Sequence, residues 1–241
     1  MKATAKQVIA ALKEKIRPDK AAFLPGFFQA VPGGYGEGDK FLGVVVPDQR
    51  SIAKRFRDLP RAEVEKLLAS PWHECRLTAA YILVLQFERV TKGKQADPAQ
   101  AQEIVDFYLA NLNAMNNWDL VDTTAPKILG PWLLQHPKDR KVLNRLAKSK
   151  IWWERRVAIV ATLPLIHADQ FDEILTLSTQ LIADEHPLMH KAIGWMLREV
   201  GKRSVLVLRG FLTEFSRHMP RTMLRYAIEK LPEAERKRWL A

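Results

Sequence analysis

The sequence predicts an all-α protein. Apolar residues recur with a period of about 3.6 positions along nearly all of the 241 residues, as they do in amphipathic helices. Proline residues or polar pairs separate these segments, each of which is about 10 to 20 residues long. No stretch alternates apolar and polar residues as a half-buried β-strand does. We therefore expect helices packed against helices throughout the chain.

The predicted helices follow one another at short intervals, and proline opens one of them at a position that helices tolerate. In chain order they are Val8–Ile16, Pro60–Ala69, Trp72–Val90, Ala99–Leu112, Trp118–Gln135, Trp153–Ile166, Phe171–Ile182, Pro187–Val200 and Met223–Leu231. The apolar run FLGVVV at 41–46 is ambiguous in type. We predict that it is an extended segment leading into a further helix that begins at Pro47.

Two polar segments interrupt the helical pattern. The first, PGGYGEGDK at 32–40, concentrates glycine, but it lacks the Gly-Lys-Ser/Thr ending and the strand-to-helix setting of a phosphate-binding P-loop. We expect a flexible loop there. The second, KGKQADPAQ at 92–100, is predicted to be a surface turn.

The composition fits a soluble globular chain that folds as a single domain over residues 1–241. Hydrophobic residues make up 47% and charged residues 27%, and no run approaches the roughly 18 consecutive apolar residues of a membrane span. The start of the chain lacks a cleavable signal pattern, and Cys75 is the single cysteine, which excludes an internal disulfide framework. We expect a cytoplasmic monomer that requires no cofactor and does not engage membranes.

Basic residues concentrate in the second half of the chain. Lys and Arg number 38 against 27 Asp and Glu, a formal charge of +11. Residues 1–126 hold 17 basic and 15 acidic side chains, whereas residues 127–241 hold 21 and 12. The second half is therefore a candidate for binding a polyanion such as double-stranded DNA, the alternative being a basic surface without a specific partner.

Similar segments recur and indicate stacked helix pairs. Asp122, Arg156, Lys191 and Arg221 occupy matching positions at successive separations of 34, 35 and 30 residues. Such periods predict a HEAT-like helical-repeat solenoid, in which residues that recur once per repeat share a concave surface. Most of the recurring residues are basic, so we expect a concave basic groove. Its candidate DNA-binding residues are Arg76, Arg156, Lys191 and Arg221, with Arg155, Arg198, Lys202 and Arg225 close by.

The segment NNWDLVD breaks that basic pattern with a carboxylate. Trp118 and Asp122 are four residues apart and so lie about 40° apart around a helix, which presents an indole and a carboxylate together. Asp119 in the first turn could simply interact favourably with the helix dipole, and Asp122 could form a salt bridge to a neighbouring repeat. A second tryptophan, Trp195, shares the basic face, and Gly194 is expected to leave space beside its indole.

Other chemistries find little support in the sequence. His186 and His190 are spaced as two zinc ligands on a helix, but the sequence between them lacks the glutamate of a zinc protease motif. The neighbours His73, Glu74 and Cys75 point in different directions on a helix, and no second cluster of ligands accompanies them. No serine lies in a glycine-flanked nucleophile turn.

Four motifs together resemble the DNA alkylation repair family of HEAT-like repeat DNA glycosylases. They are FLGVVVPDQR at 41–50, WDLVD at 118–122, WERRVAI at 153–159 and KAIGWMLRE at 191–199, within a similarity that runs from Val8 to Leu231. The resemblance implies excision of purines alkylated at N3 or N7 from double-stranded DNA, without extrusion of the base into a deep pocket. It also implies that Asp122 is the catalytic carboxylate, that Trp118 and Trp195 face the substrate, and that Arg156 contacts DNA.

The N-terminal region leaves alternatives open. Some HEAT-like relatives bind branched DNA without excising bases, and some lack an N-terminal helix that shapes the substrate groove. Residues 20–29 could form that helix, with Phe27 or Phe28 as an aromatic contact, although Pro25 and Gly26 weaken a helix interior. The alternatives to a glycosylase are therefore a non-enzymatic binder of branched or bulged DNA, and a solenoid that scaffolds a protein partner.

Overall fold

The computed structural model describes residues 3–92 and 96–241, and over these residues the chain is helical without a β-strand. Within these residues, Lys40 and Trp72 form an isolated parallel β-bridge, which does not extend into a strand. The chain divides into two compact units, Met1–Thr124 and Ala125–Ala241. The all-α helical-repeat prediction is confirmed. None of the described helices is long and apolar enough to cross a bilayer.

The first unit is organised around one buried helix, α5. Its helices are α1 (Ala5–Lys13), α2 (Pro18–Phe27), α3 (Val46–Arg55), α4 (Arg61–Leu68), α5 (His73–Thr91), α6 (Pro98–Ala110) and α7 (Trp118–Thr124). The long α5 packs against α1, α3, α4, α6 and α7, and it is buried on nearly every side. Because α5 is buried all round, its few polar side chains must find partners inside the unit.

The second unit repeats a simpler arrangement, in which alternate helices pack side by side. Here α10 packs on α13 and α13 packs on α15, while α12 and α14 lie next to α13 as the connecting helices. The helices are α8 (Leu129–Gln135), α9 (Lys141–Ala147), α10 (Trp152–Val160), α11 (Leu163–His167), α12 (Asp172–Gln180), α13 (Pro187–Arg203), α14 (Val205–Phe215), α15 (Arg221–Ala227) and α16 (Glu233–Leu240).

Proline divides two segments that the sequence predicts as single helices. Residues 118–135 form α7 and α8 with a turn at 125–128, and residues 153–166 form α10 and α11. Pro126 and Pro164 lack a backbone N–H, and each ring would clash with the carbonyl four residues earlier in a continuous helix. Periodicity alone does not register this break, because the apolar pattern continues through the proline.

The N-terminal helix α2 forms in spite of Pro25 within it. The backbone at Gly43 approaches it so closely that a Cβ there would lie 2.3 Å from the Arg17 carbonyl oxygen and 2.6 Å from the Ala21 nitrogen. Gly43 also has a φ of +83°, which glycine adopts readily. The segment 41–45 is extended and leads into α3, as predicted, and it holds α2 in place.

The glycine-rich loop packs closely on the first unit. A Cβ on Gly36 would lie 2.4 Å from the Phe28 carbonyl oxygen and 3.3 Å from the Asn117 side-chain nitrogen. The loop ends at Asp39, whose carboxylate is buried. Gly36 therefore allows close backbone contact, and the flexibility of the loop stays a prediction. In the second polar segment, residues 93–95 lie outside the described residues, and Asp97 caps α6 by accepting a hydrogen bond from the Gln100 amide at 3.0 Å.

Candidate functional site

Helix α7 carries the two side chains that the sequence singles out in the first unit. Trp118 begins the helix, and Asp122 follows one turn later; both are half-buried. Just before the helix, Asn117 is fully buried and its Oδ1 accepts a hydrogen bond from the Trp118 amide at 2.9 Å. The helix thus starts at a fixed point and leaves part of both Trp118 and Asp122 accessible.

The indole of Trp118 packs on two aromatic residues at the end of α2, Phe27 within the helix and Phe28 directly after it. Phe28 stacks on the indole with ring centroids 5.5 Å apart, and Phe27 meets the indole at an angle with centroids 6.0 Å apart. Phe28 is 7% exposed, whereas Phe27 is 50% exposed. The two candidates for an aromatic contact therefore differ, since Phe28 supports Trp118 from within and Phe27 remains at the surface.

His73, at the start of α5, packs on the protein side of these rings. Each of its two ring nitrogens lies within hydrogen-bond distance of a carboxylate. Nδ1 is 3.0 Å from Oδ2 of Asp39, and Nε2 is 2.8 Å from Oδ2 of Asp119. Phe28 and Phe41 pack on the imidazole with centroids 4.6 and 5.0 Å away. Burial works against the charged ring, but hydrogen bonds to Asp119 and then Asp39 outweigh it and raise the pKa of His73 to about 9.

Arg76, one turn further along α5, completes this buried cluster. Its Nη2 donates to Oδ1 of Asp39 at 2.5 Å, and its Nη1 donates to the Ser70 carbonyl at 2.9 Å. Burial raises the pKa of the Asp39 carboxyl, yet the hydrogen bond from His73 and the charge of Arg76 prevail and hold it below its usual range. The structure thus gives Arg76, which the sequence predicts to bind DNA, a buried partner within the protein.

Glu74 anchors the segment that follows the glycine-rich loop. Its carboxylate is buried and accepts hydrogen bonds from the amides of Leu42 at 2.9 Å, Gly43 at 2.7 Å and Val44 at 3.2 Å. Three residues in the first turn of α5 thus bind different parts of the same region: His73 and Arg76 bind the Asp39 carboxylate, and Glu74 binds the backbone of residues 42–44. The prediction that His73 and Glu74 point in different directions is confirmed.

Asp122 is close enough to the core to influence Tyr108 on α6. Burial raises the pKa of the Tyr108 phenol, a hydrogen bond with Thr124 opposes this, and the charge of Asp122 raises it again. The hydroxyl of Thr124 donates to the Leu120 carbonyl at 2.7 Å, and its oxygen lies 3.1 Å from the Tyr108 hydroxyl. Neighbouring α7 residues therefore fix the far end of the helix, as Asn117 and Asp119 fix its start.

In the second unit, the two arginines of α10 bind the first turn of α13 and the segment just before it. Arg156 is 5% exposed and its Nη1 donates to the Leu188 carbonyl at 2.5 Å. Arg155 donates from Nε to Oδ2 of Asp184 at 2.6 Å and from Nη1 to the Ser149 carbonyl at 3.0 Å. Both guanidinium groups therefore hold protein segments together.

The basic residues of α13 differ in their surroundings. Arg198 pairs with Glu199 and Glu229, and the Nζ of Lys202 lies 2.7 Å from Oε1 of Glu199. Lys191 is exposed, and within residues 3–92 and 96–241 no carboxylate forms an ion pair with it. Among the predicted phosphate contacts, Arg221 and Arg225 are also exposed and without an ion pair in the described part of the chain, so the charge of Lys191 shares this property with theirs.

Trp195 on α13 is half-buried, but the expected space beside it is absent. A Cβ on Gly194 would lie 2.5 Å from both the Met223 carbonyl oxygen and the Tyr226 Cβ, because α15 packs directly against α13 there. The prediction that Gly194 leaves room next to the indole is wrong. This glycine instead allows close packing of two helices of the repeat.

His186 and His190 take part in local structure at the start of α13. The His186 ring stacks on Trp152 with centroids 3.6 Å apart, and its Nδ1 accepts from the Leu188 amide at 3.2 Å. The Nε2 of His190 lies 2.5 Å from the Asp184 carbonyl oxygen. Among the residues that the structure describes, no group of three or more His, Cys, Asp or Glu could hold a metal ion.

Sequence reasoning missed the cluster of His73, Asp39 and Arg76, and the supporting role of Phe28. One signal was present: a histidine and an arginine lie three residues apart at the start of α5, ahead of the apolar stretch LTAAYILVL at 77–85. Polar residues at that spacing share a face and need a common partner when they are buried. The partners themselves lie 34 to 46 residues away from His73, beyond the range of local patterns.

Comparison with known proteins supports the resemblance to the DNA alkylation repair family that the sequence motifs indicate. The chain resembles a solved structure described as a predicted DNA alkylation repair enzyme from Enterococcus faecalis, with a TM-score of 0.71 and 18% identity over 91% of this chain and 98% of the other. At that identity the likeness shows the fold alone. No curated protein matches the chain. The family model described as DNA alkylation repair enzyme matches residues 8–231, and the chain therefore belongs to that family.

Proposed function

We propose that this protein is a DNA N-glycosylase that hydrolyses the N-glycosidic bond of positively charged N3- or N7-alkylpurines in double-stranded DNA. This activity would begin base excision repair of alkylation damage. The observation that carries the proposal is that Trp118 and Asp122 share α7 and remain partly accessible, in a chain of the alkylation repair enzyme family. The neighbouring Asp119 is bound to His73 and is assigned no role in the reaction.

The chemistry needs little beyond a carboxylate. A purine that carries a positive charge is already a good leaving group, so its bond to deoxyribose breaks towards an oxocarbenium-like sugar. We assign to Asp122 the stabilisation of that developing cation and the positioning of the attacking water. Preorganised groups aimed at developing charge contribute roughly 3 to 4 kcal/mol in other enzymes. No cofactor is required for this reaction.

Aromatic side chains would contact the cationic nucleotide. The Trp118 indole is supported by Phe28 on the protein side, and the exposed Phe27 stands at its edge. Cation–π contacts contribute about 0.5 to 2 kcal/mol each, so they would add to the effect of the carboxylate without replacing it. We therefore propose Phe27 and Trp118 as substrate contacts of the first unit and Trp195 as one of the second.

The DNA backbone would be bound by the basic second unit. Residues 127–241 carry 21 basic and 12 acidic side chains, and this excess favours a polyanion. We propose Lys191 as a phosphate contact, with Lys202, Arg198, Arg155 and Arg156 as further contacts. The last four also have partners within the protein. How much each adds to DNA affinity therefore depends on whether its side chain can reach a phosphate while it keeps that partner. Arg76 is not included, because its guanidinium is buried with Asp39.

The test is the release of free bases from methylated duplex DNA by the purified protein, separated by chromatography. We expect release of 7-methylguanine or 3-methyladenine with abasic sites in equal amount, and binding that weakens as salt increases. Tight binding to junctions or bulges without base release would overturn the proposal in favour of a DNA-structure binder. Duplex affinity that is absent or insensitive to salt would instead favour a protein scaffold. We further propose that the protein works as a monomer in the cytoplasm, at the nucleoid when it binds DNA.

A further inference from the structure

The buried cluster of His73, Asp39, Asp119 and Arg76 has no part in the proposed chemistry. It nevertheless contacts the helix that carries Trp118 and Asp122. Its four side chains are 2%, 4%, 12% and 6% exposed, respectively. Two carboxylates face one guanidinium and one imidazole, so the cluster is electrically balanced when the imidazole carries a proton. Burial of ionic groups is costly, and such groups are retained inside proteins when they are paired and hydrogen-bonded.

The cluster joins three segments that carry or support the proposed site. His73 belongs to α5, Asp39 ends the glycine-rich loop, and Asp119 lies in the first turn of α7. The same imidazole packs against Phe28, which in turn stacks on Trp118. His73 therefore contacts both supports of Trp118: the helix that carries it and the ring on which it rests.

We infer that His73 is a positioning residue, whose protonated imidazole holds the first turn of α7 and thereby sets the orientation of Trp118 and Asp122. This inference rests on the proposed function of those two residues. His73 does not reach the surface, so it acts through Asp119 and Phe28. A displacement of about 1 Å at a reacting group can lower a rate about a hundredfold, and the start of α7 is one turn from Asp122.

The protonation state follows from the contacts. A neutral imidazole has one N–H, whereas both ring nitrogens of His73 face carboxylate oxygens, so only the protonated ring donates to both. The charged groups around it are Asp119 from α7, Asp39 from the loop, and Arg76 on α5 itself. The adjacent Glu74 directs its carboxylate to the amides of residues 42–44. Loss of the proton would remove one of the two hydrogen bonds that His73 donates. Because Arg76 still holds Asp39, we expect the contact with Asp119, and with it the start of α7, to loosen.

A measurement without DNA tests this coupling. The protein is labelled with 5-fluorotryptophan, and the fluorine resonance of Trp118 is assigned by its disappearance in Trp118→Phe. We expect that resonance to move with pH with a midpoint near 9, the pKa of His73, and to lose this dependence in Asp119→Asn. The resonance of Trp239, in the second unit, serves as the internal reference. A Trp118 resonance that does not respond between pH 7 and 10 in the wild type, or that responds equally in Asp119→Asn, would overturn the inference.

A rate measurement at neutral pH tests the consequence for the reaction. We expect Asp119→Asn and His73→Gln to lower the single-turnover rate of base release at saturating protein by about tenfold to a hundredfold. Duplex affinity should change less than about twofold, because neither side chain is at the surface. His218→Gln, which alters an exposed histidine, is the matched control. An unchanged rate in the folded variants, or an equal loss of rate and affinity, would contradict a positioning role.

The two measurements separate this inference from the proposed function. If the wild type releases no base from methylated DNA, the glycosylase proposal fails, but the pH response of Trp118 still decides whether His73 controls α7. If the wild type releases base and the His73 and Asp119 variants match it, the glycosylase proposal stands and the positioning role is rejected.

Discussion

The imidazole Nε2 of His73 lies 2.8 Å from the Asp119 carboxylate, across 46 positions of the sequence. This contact connects the central helix α5 of the first unit to the short helix that carries Trp118 and Asp122. The proposed catalytic carboxylate therefore belongs to a seven-residue helix whose position depends on a buried ionic cluster. The stability of the cluster and the chemistry of the site can be tested separately.

The stability of the protein should fall as the pH rises above neutrality. Folding raises the pKa of His73 from 6.5 to about 9, so its protonated ring stabilises the folded state fully below pH 6.5. That stabilisation, at most about 3 kcal/mol, is lost as the pH rises through 9. Urea unfolding of the wild type and His73→Gln at pH 6.5, 8 and 9.5 measures it. We expect the difference between the two proteins to shrink with rising pH; a constant difference would contradict the prediction.

Loss of the buried Asp39 charge should be far more harmful than loss of an exposed one. Asp39 is 4% exposed and pairs with both His73 and Arg76, so Asp39→Asn leaves two buried cations with a single carboxylate. We expect it to lower the free energy of unfolding by about 3 to 5 kcal/mol. The matched control is Asp58→Asn, which breaks an ion pair with Arg89 at a side chain that is 66% exposed. Equal unfolding midpoints for the two variants in urea would refute the structural role of the cluster.

A methyl group on Gly194 should destabilise the second unit. In Gly194→Ala the new Cβ would lie 2.5 Å from atoms of α15, so α13 and α15 must separate, at a cost of about 1 to 3 kcal/mol. Gly210→Ala is the control, because a Cβ on this glycine of α14 meets nothing within 4 Å. There the substitution should stabilise the helix by about 0.5 to 1 kcal/mol. Thermal unfolding of both variants decides the matter, and a Gly194→Ala protein as stable as the wild type would show that the helices pack less closely.

The class of fold could be predicted from local patterns because many of the described helices, such as α10 and α13, carry an apolar period of their own and because similar segments recur along the chain. The segment 118–135 shows the limit of that approach. Its period continues through Pro126, so only the stereochemistry of proline indicates that α7 and α8 are separate helices.

The candidate site could be predicted only in part. Trp118 and Asp122 are visible as a pair at helical spacing, whereas Asp39, His73 and Asp119 converge from three distant segments. Gly194 illustrates a different error. A glycine in a helix can leave room for a ligand or allow a neighbouring helix to pack closely, and the sequence does not distinguish the two. The partner is known only once α15 is placed against α13.

The most direct test of the central claim compares Asp122→Asn with the wild type in single-turnover release of 7-methylguanine from methylated duplex DNA. The substitution keeps the shape of the side chain and removes its charge. Asp106→Asn, which makes the same change at an exposed position on α6 of the same unit, is the control. We predict a rate lower by about a hundredfold to a thousandfold for Asp122→Asn, with duplex affinity retained, and no change for Asp106→Asn. Release at the wild-type rate by folded Asp122→Asn would contradict the assignment of Asp122 as the catalytic carboxylate.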